Sequence, residues 1–382
     1  MNTRETLLLV TTSYPRWSNG REAAGSFVAD LAGKLAEHAC VRVVAPGDTE
    51  GLEKVTPHLT VYRYPAPRRR LVNLRPWNPL DAWRILRTLR AGQVAVRRAT
   101  SDARIRYMLA LWALPSGQWV RAVGRRTGIP YSVWMLGSDV WTLGRLPVVR
   151  SILRGVMRDA QSRYADGLQL ARDSEAICDR PVVFLPTTRA LETHDAPQPA
   201  REAPYRLVFI GRWHRNKGID LFLDALAVLD DAEWARIGEV AIYGGGPLQT
   251  EVRAKERQLL EAGRPVKVGG FIPKADAERA IVRSDWVVIP SRIESIPVIF
   301  SDAMKLGRPV IATPVGDLPG LVREGHCGVL AAAATGEAFA EAIRGAMRLS
   351  ASAFSVGVAV QSERFDLAAI ASAITREVLA GE

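Results

Sequence analysis

Short apolar runs alternate with stretches of helical period along most of the chain. In the first half the runs are 7–11, 41–45, 107–112 and 131–135; in the second they are 207–210, 240–243, 266–268, 286–289 and 309–312. A strand whose sheet is covered by helices on both faces has no solvent side, so it reads as a continuous apolar run. The expectation is therefore an α/β chain with two doubly wound parallel sheets. Between them, residues 189–205 are rich in Pro and Ala and lack any period, as a linker would. The predicted division is 1–188, the linker 189–205, and 206–362. A last helical pattern at 367–379 follows completion of the second sheet, so 363–382 is free to pack on either domain, the first included. No internal repeat of short period occurs.

The chain has 382 residues, 48% of them hydrophobic, enough for two cores of ordinary size. No apolar run approaches the roughly 20 residues that span a bilayer, and the apolar part of the N-terminus is too short for a signal peptide. Cys40, Cys178 and Cys327 are odd in number and far apart, which offers neither a disulfide framework nor a Cys-x-x-Cys metal knuckle. These features predict a cytoplasmic protein.

Charge changes the picture in one place. The net charge is +11, yet the segment 68–126 holds fourteen Arg, no Lys and only Asp81 and Asp102 as acids, a net +12. The rest of the chain is close to neutral. Trp77, Trp83, Trp112 and Trp119 lie in the same stretch, and Arg with Trp suits an anionic lipid surface. A merely solvated basic face is the alternative, and nucleic acid is the least favoured partner. The expectation is a peripheral protein on the inner face of a membrane.

The candidate chemistry sits in the second domain. The run 207–210 leads into Gly211-Arg212-Trp213-His214-Arg215-Asn216-Lys217-Gly218, and ligands of open α/β sheets bind beyond the carboxyl ends of strands. Arg212 and Lys217 therefore emerge where a diphosphate would sit, although an exposed basic turn explains them equally well. Gly244-Gly245-Gly246-Pro247 follows the next run; missing Cβ atoms let the backbone approach a ligand, and Pro247 suits the first position of a helix. Gln249 stands where a dinucleotide fingerprint needs its third Gly, which disfavours NAD and FAD. Gly269-Gly270-Phe271-Ile272 offers backbone groups beside a nucleobase, or a plain tight turn. Residues 290–302 read Pro-Ser-Arg-Ile-Glu-Ser-Ile-Pro-Val-Ile-Phe-Ser-Asp. A helix starting near Pro297 leaves Glu294 on the preceding loop and Asp302 in its second turn, with unpaired amides between them. No spacing of His, Cys or acids suggests a metal site, so the expected chemistry needs no metal and no cofactor.

These motifs together resemble the retaining GT-B glycosyltransferases of family 4, the "glycosyl transferases group 1" type. The likeness runs through Gly-Arg-x4-Lys-Gly at 211–218, Gly-Gly-Gly-Pro at 244–247, Gly-Phe at 270–271, and Pro-Ser-x2-Glu-x7-acid at 290–302. The first domain is similar in Ser13-Tyr14-Pro15, in Gly25-x-Phe27-Val28, in 112–117 and in Gly137-Ser138-Asp139. The resemblance implies a GT-B fold, with two doubly wound Rossmann-like domains facing each other across a cleft, the first binding acceptor and the second a nucleotide diphosphate sugar. It implies Glu294, Arg212, Lys217 and Asp139 as catalytic residues, with Glu294 on the donor sugar and the two cations on the leaving diphosphate. Gly25, Gly244, Gly246, Phe271, Ile272, Ser295, Ile296, Pro297, Val298 and Asp302 would bind the donor, Asp302 at its ribose. The implied reaction is metal-independent transfer with retention to a glycan or lipid-linked acceptor. An epimerase or phosphorylase of the same fold and an inactive nucleotide-sugar-binding subunit are the alternatives. The chain departs from the family pattern at Asp302, where the family has Glu, at Leu136, where it has His, at Ser295, where it often has Gly, and at Ala24, where Gly is common.

Overall fold

All nine apolar runs fall on strands of the computed structural model, which describes residues 5–16, 25–68, 71, 74–192 and 196–379. The chain divides into two units, one built from residues up to Ala190 together with the C-terminal helix, the other from Leu191 to Asp366.

The first unit contains β1 (Thr6–Val10), α1 (Ser26–Ala36), β2 (Cys40–Gly47), β3 (Gly51–Thr56), β4 (Leu59–Pro65), α2 (Pro79–Ser101), β5 (Ile105–Leu111), α3 (Gln118–Thr127), β6 (Tyr131–Met135), α4 (Pro147–Asp159), β7 (Ser162–Ala165), α5 (Leu168–Cys178) and β8 (Val183–Phe184). The sheet order is β3-β4-β2-β1-β5-β6-β7-β8, parallel throughout except for β3 against β4. Two cores cover its faces. One gathers Val96, Trp119, Val133, Leu153 and Met157. The other joins Leu31 and Leu35 of α1 to Ile370, Ala371 and Ile374 of the C-terminal helix (Leu367–Leu379). The helix α2 starts where its sequence says it should: Pro79 occupies the first turn and the Asn78 side chain accepts from the amides of Leu80 and Asp81.

The second unit contains β9 (Tyr205–Arg212), α6 (Ile219–Ala227), α7 (Asp231–Trp234), β10 (Ile237–Gly245), α8 (Gln249–Glu261), β11 (Val266–Val268), α9 (Lys274–Arg283), β12 (Trp286–Ile289), α10 (Val298–Lys305), β13 (Val310–Ala312), α11 (Leu318–Gly325), β14 (Gly328–Leu330), α12 (Gly336–Arg348) and α13 (Ser355–Arg364); the C-terminal helix is α14. Its sheet is wholly parallel, ordered β11-β10-β9-β12-β13-β14. The direction of winding reverses between β9 and β12, and such a reversal opens a crevice at the strands' carboxyl ends. Phe222 of α6 packs on Phe339 of α12 at 6.2 Å, edge to face, above this sheet.

Several local expectations needed correction. The stretch 189–205 is not a free linker along its whole length. The buried carboxylate of Asp285 accepts from the amides of Ala200 (2.9 Å) and Arg206 (2.8 Å), which pins the run into β9 against the start of β12. Residues 193–195 of that stretch lie outside the described residues. Pro247 is not in the first helical position either, since it stands in a turn and α8 starts at Gln249. Among the four tryptophans of the basic segment, Trp119 is in the core against Tyr64 and Trp112 packs on Phe27. Only Trp77 and Trp83 are exposed, at 79% and 57%.

Candidate functional site

Two loops meet at the crevice between β9 and β12. The first leaves β9 at Arg212, buries Trp213, and makes one turn of 3₁₀ helix at Arg215–Lys217 that the His214 ring caps by accepting from the Asn216 amide at 3.1 Å. The turn ends at Gly218, with φ +69°; a Cβ there would stand 1.7 Å from the Pro290 carbonyl oxygen. Only glycine allows this backbone crossing. The second loop, residues 290–297, runs from β12 to α10, whose N-cap is Pro297.

The side chains converge where the loops cross. Lys217 Nζ donates to Glu294 Oε1; the Glu294 side chain is 16% exposed and that of Lys217 38%. Burial pulls the Lys217 ammonium down to about 8, while the carboxylate beside it works in the opposite direction. Arg292 joins the pair of loops from below, donating at 2.8 Å to both Asp220 Oδ1 and the Arg215 carbonyl. Arg212 is exposed and has no ion-pair partner among the described residues. The Ser295 hydroxyl is buried and has no hydrogen-bond partner among them, next to the N-terminus of α10. Ile296 and Pro297 are buried, and Val298 opens the helix, 38% exposed. A carbonyl of this loop is braced from behind, because Asp317 donates its amide to Ser295 O at 3.2 Å. A loop with cations on one side and free amide dipoles on the other is chemically suited to an anion such as a diphosphate.

Other expected site residues are placed differently. Gly244 and Gly246 have φ of +150° and +155°, and a Cβ on either would fall 1.9 Å from Gly211 O or 2.5 Å from Trp213 O. The glycines are thus demanded by the chain's own β9 loop. Phe271 is 64% exposed beyond β11, and Ile272 borders a groove of about 350 Å³ under α9 with Tyr243, Lys267 and Arg279. That groove includes none of Arg212, Lys217 and Glu294. Asp302 is 1% exposed on the inner face of α10, so its expected contact with a ribose finds no open carboxylate.

In the first unit Gly25 caps α1 with φ +79° against the Tyr14 backbone. Asp139 is completely buried. Its carboxylate accepts from the amides of Ala113 (2.7 Å), Leu136 (3.3 Å) and Val140 (3.2 Å), and burial outweighs these bonds to push it up to about 6. Every one of these bonds goes to the backbone, as befits a staple between the loops after β5 and β6. Leu136 packs beside it against the core. Sequence reasoning missed Arg292, Asp220 and Asp317, whose partners lie far away along the chain.

Among the described residues no group of three metal-ligating side chains occurs, and no helix is long and apolar enough to cross a membrane. Residues 204–348 match the model described as "Glycosyl transferases group 1". A D-inositol 3-phosphate glycosyltransferase of Catenulispora acidiphila is 33% identical over 145 residues, 36% of this chain and 34% of that protein. The chain thus spans about a third of the length of the curated relatives it matches. Among solved structures, sucrose-phosphate synthase from Thermosynechococcus elongatus superposes with a TM-score of 0.71 at 19% identity, over 99% of this chain and 100% of that one. Anabaena HepE in complex with UDP gives 0.70 at 16% identity, over 98% and 100%. Residues 204–348 are accordingly a glycosyl transferases group 1 domain, in a chain whose two Rossmann-like units are those of the GT-B fold.

Proposed function

We propose that the chain is a retaining glycosyltransferase that moves a sugar from a nucleotide diphosphate sugar to a lipid-linked or other membrane-proximal saccharide, without a divalent metal. The observation that carries this reading is the meeting of Lys217 with Glu294 at the reversal point between β9 and β12. Cleavage of the bond between the anomeric carbon and the diphosphate puts negative charge on the departing oxygen. Lys217 and Arg212 take up that charge, the α10 amides hold the phosphates, and Glu294 accepts from hydroxyls of the donor sugar. The acceptor oxygen bonds to the anomeric carbon on the face being vacated, and its proton passes to the departing diphosphate oxygen. Configuration is thereby retained with no carboxylate acting as nucleophile.

The acceptor reading rests on α2. Trp77, Leu80, Trp83 and Leu86 are 79%, 66%, 57% and 47% exposed at its N-terminal end, with Arg84, Arg87 and Arg90 exposed among and beyond them. Apolar residues mixed with arginines favour an anionic bilayer surface, where a lipid-linked saccharide would be delivered.

The HepE structures hold UDP and UDP-glucose, which makes UDP-glucose the first donor to test. Incubation with UDP-, GDP- and ADP-sugars, with and without a polyprenyl-diphosphate-linked saccharide in anionic vesicles, separates the alternatives. Release of nucleoside diphosphate only when acceptor is present supports transfer. An isomerised nucleotide sugar would make the chain an epimerase, and no binding of any donor would remove the proposal.

A further inference from the structure

We infer that Arg292 is a positioning residue that sets the Lys217–Glu294 pair, acting with Asp220 rather than on the donor itself; this rests on the reading just given. Lys217 sits in a single turn of 3₁₀ helix, a structure with little stiffness of its own. Arg292 grips that turn at three points. Its amide donates to Asn216 O at 2.8 Å, and its Nη1 donates at 2.8 Å both to Arg215 O, at the start of the turn, and to Asp220 Oδ1, just past its end. Lys217 lies between these anchors, and Glu294 is two residues along the chain from Arg292. One side chain thereby fixes both partners of the ion pair relative to each other.

The geometry also explains why an arginine does this. Asp220 is 7% exposed in the first turn of α6, where the helix dipole favours an anion. The Arg292 side chain is 36% exposed, so a planar guanidinium can reach inward to that carboxylate and to a backbone carbonyl at once. Both bonds leave the single nitrogen Nη1; a lysine at 292 would keep the charge but, one atom shorter, would hold the two acceptors less closely.

The test measures affinity for the diphosphate rather than stability. UDP, GDP and ADP, and the matching monophosphates, are titrated by calorimetry into wild type, Arg292→Ala, Arg292→Lys, Asp220→Asn and the Arg292→Ala/Asp220→Asn double variant. We expect Arg292→Ala to weaken binding of the preferred diphosphate by about tenfold while its monophosphate changes little, Arg292→Lys to fall between, and the double variant to be no weaker than either single one, because coupled residues are not additive. Equal diphosphate affinity in Arg292→Ala, an equal loss for mono- and diphosphate, or additive losses would overturn the inference. Should Arg292→Ala not fold, the graded loss in Arg292→Lys still decides. A wild type that binds none of the three diphosphates would instead remove the proposed function and this inference with it.

Discussion

Replacing Gly218 by alanine tests how tightly the two loops are registered. The new methyl carbon would lie 1.7 Å from Pro290 O, and reaching an ordinary contact of 3.4 Å requires a displacement of about 1.7 Å. The backbone also has φ +69° there, a conformation that costs an L-residue roughly 1–2 kcal/mol. Lys217 precedes the substituted residue and Glu294 follows Pro290 by four positions, so the shift falls on the ion pair itself. Misplacement by about 1 Å can cost a reaction about 10²-fold, so kcat/KM should fall at least that far, or about 2.7 kcal/mol. Unfolding free energy in urea should fall by at least the roughly 1–2 kcal/mol of the backbone conformation, the overlap with Pro290 O adding to it. Gly245→Ala is the control, because nothing lies within 4 Å of its added Cβ; it should transfer sugar within about twofold of wild type. Wild-type kcat/KM in Gly218→Ala would refute the claim that this crossing sets the site.

Three further outcomes follow from the same structure. Asp139 holds its proton more tightly folded, near 6, than at its ordinary 3.8, so its contribution is complete below about pH 4 and is lost as the pH rises through about 6, by roughly 3 kcal/mol. Urea unfolding across that window should show a slope that Asp139→Asn flattens, at the cost of a constant offset from the lost Ala113 bond; an unchanged slope would contradict the assignment. Trp119→Ala should cost about 3–5 kcal/mol of stability as a core truncation, whereas Trp77→Ala should leave unfolding unchanged. In sedimentation with anionic vesicles the combined Trp77→Ala/Trp83→Ala variant should lose salt-sensitive binding, and equal binding of wild type to neutral vesicles would sink the membrane reading.

The strands were readable because burial on both faces leaves a continuous apolar run, as in Val287-Val288-Ile289. The strand β3 was not, since Gly51–Thr56 is an exposed, polar edge strand with no apolar face to show. The basic turn at Arg212 and Lys217 and the acidic loop at Glu294 were also readable, because loop chemistry at strand ends is written in charged and glycine residues. What could not be read was which neighbour each residue answers to. Gly244 and Gly246 looked like room for a ligand and are room for Gly211 and Trp213. Trp112 and Trp119 looked like the exposed Trp77 and Trp83, because composition records an indole without its burial. Arg292, Asp220 and Asp317 act through contacts that join segments far apart in the chain, and no local pattern carries such a pairing.

The central claim is that Lys217 and Glu294 together hold a reacting nucleotide diphosphate sugar. The most direct measurement is acceptor-dependent release of nucleoside diphosphate by wild type and by Lys217→Met, which keeps the side-chain length and removes the charge. Loss of one preorganised electrostatic contact predicts a fall in kcat of about 10²–10³-fold in the variant, with the product's anomeric configuration in the wild-type reaction matching that of the donor. Turnover in Lys217→Met within about twofold of wild type would contradict the account.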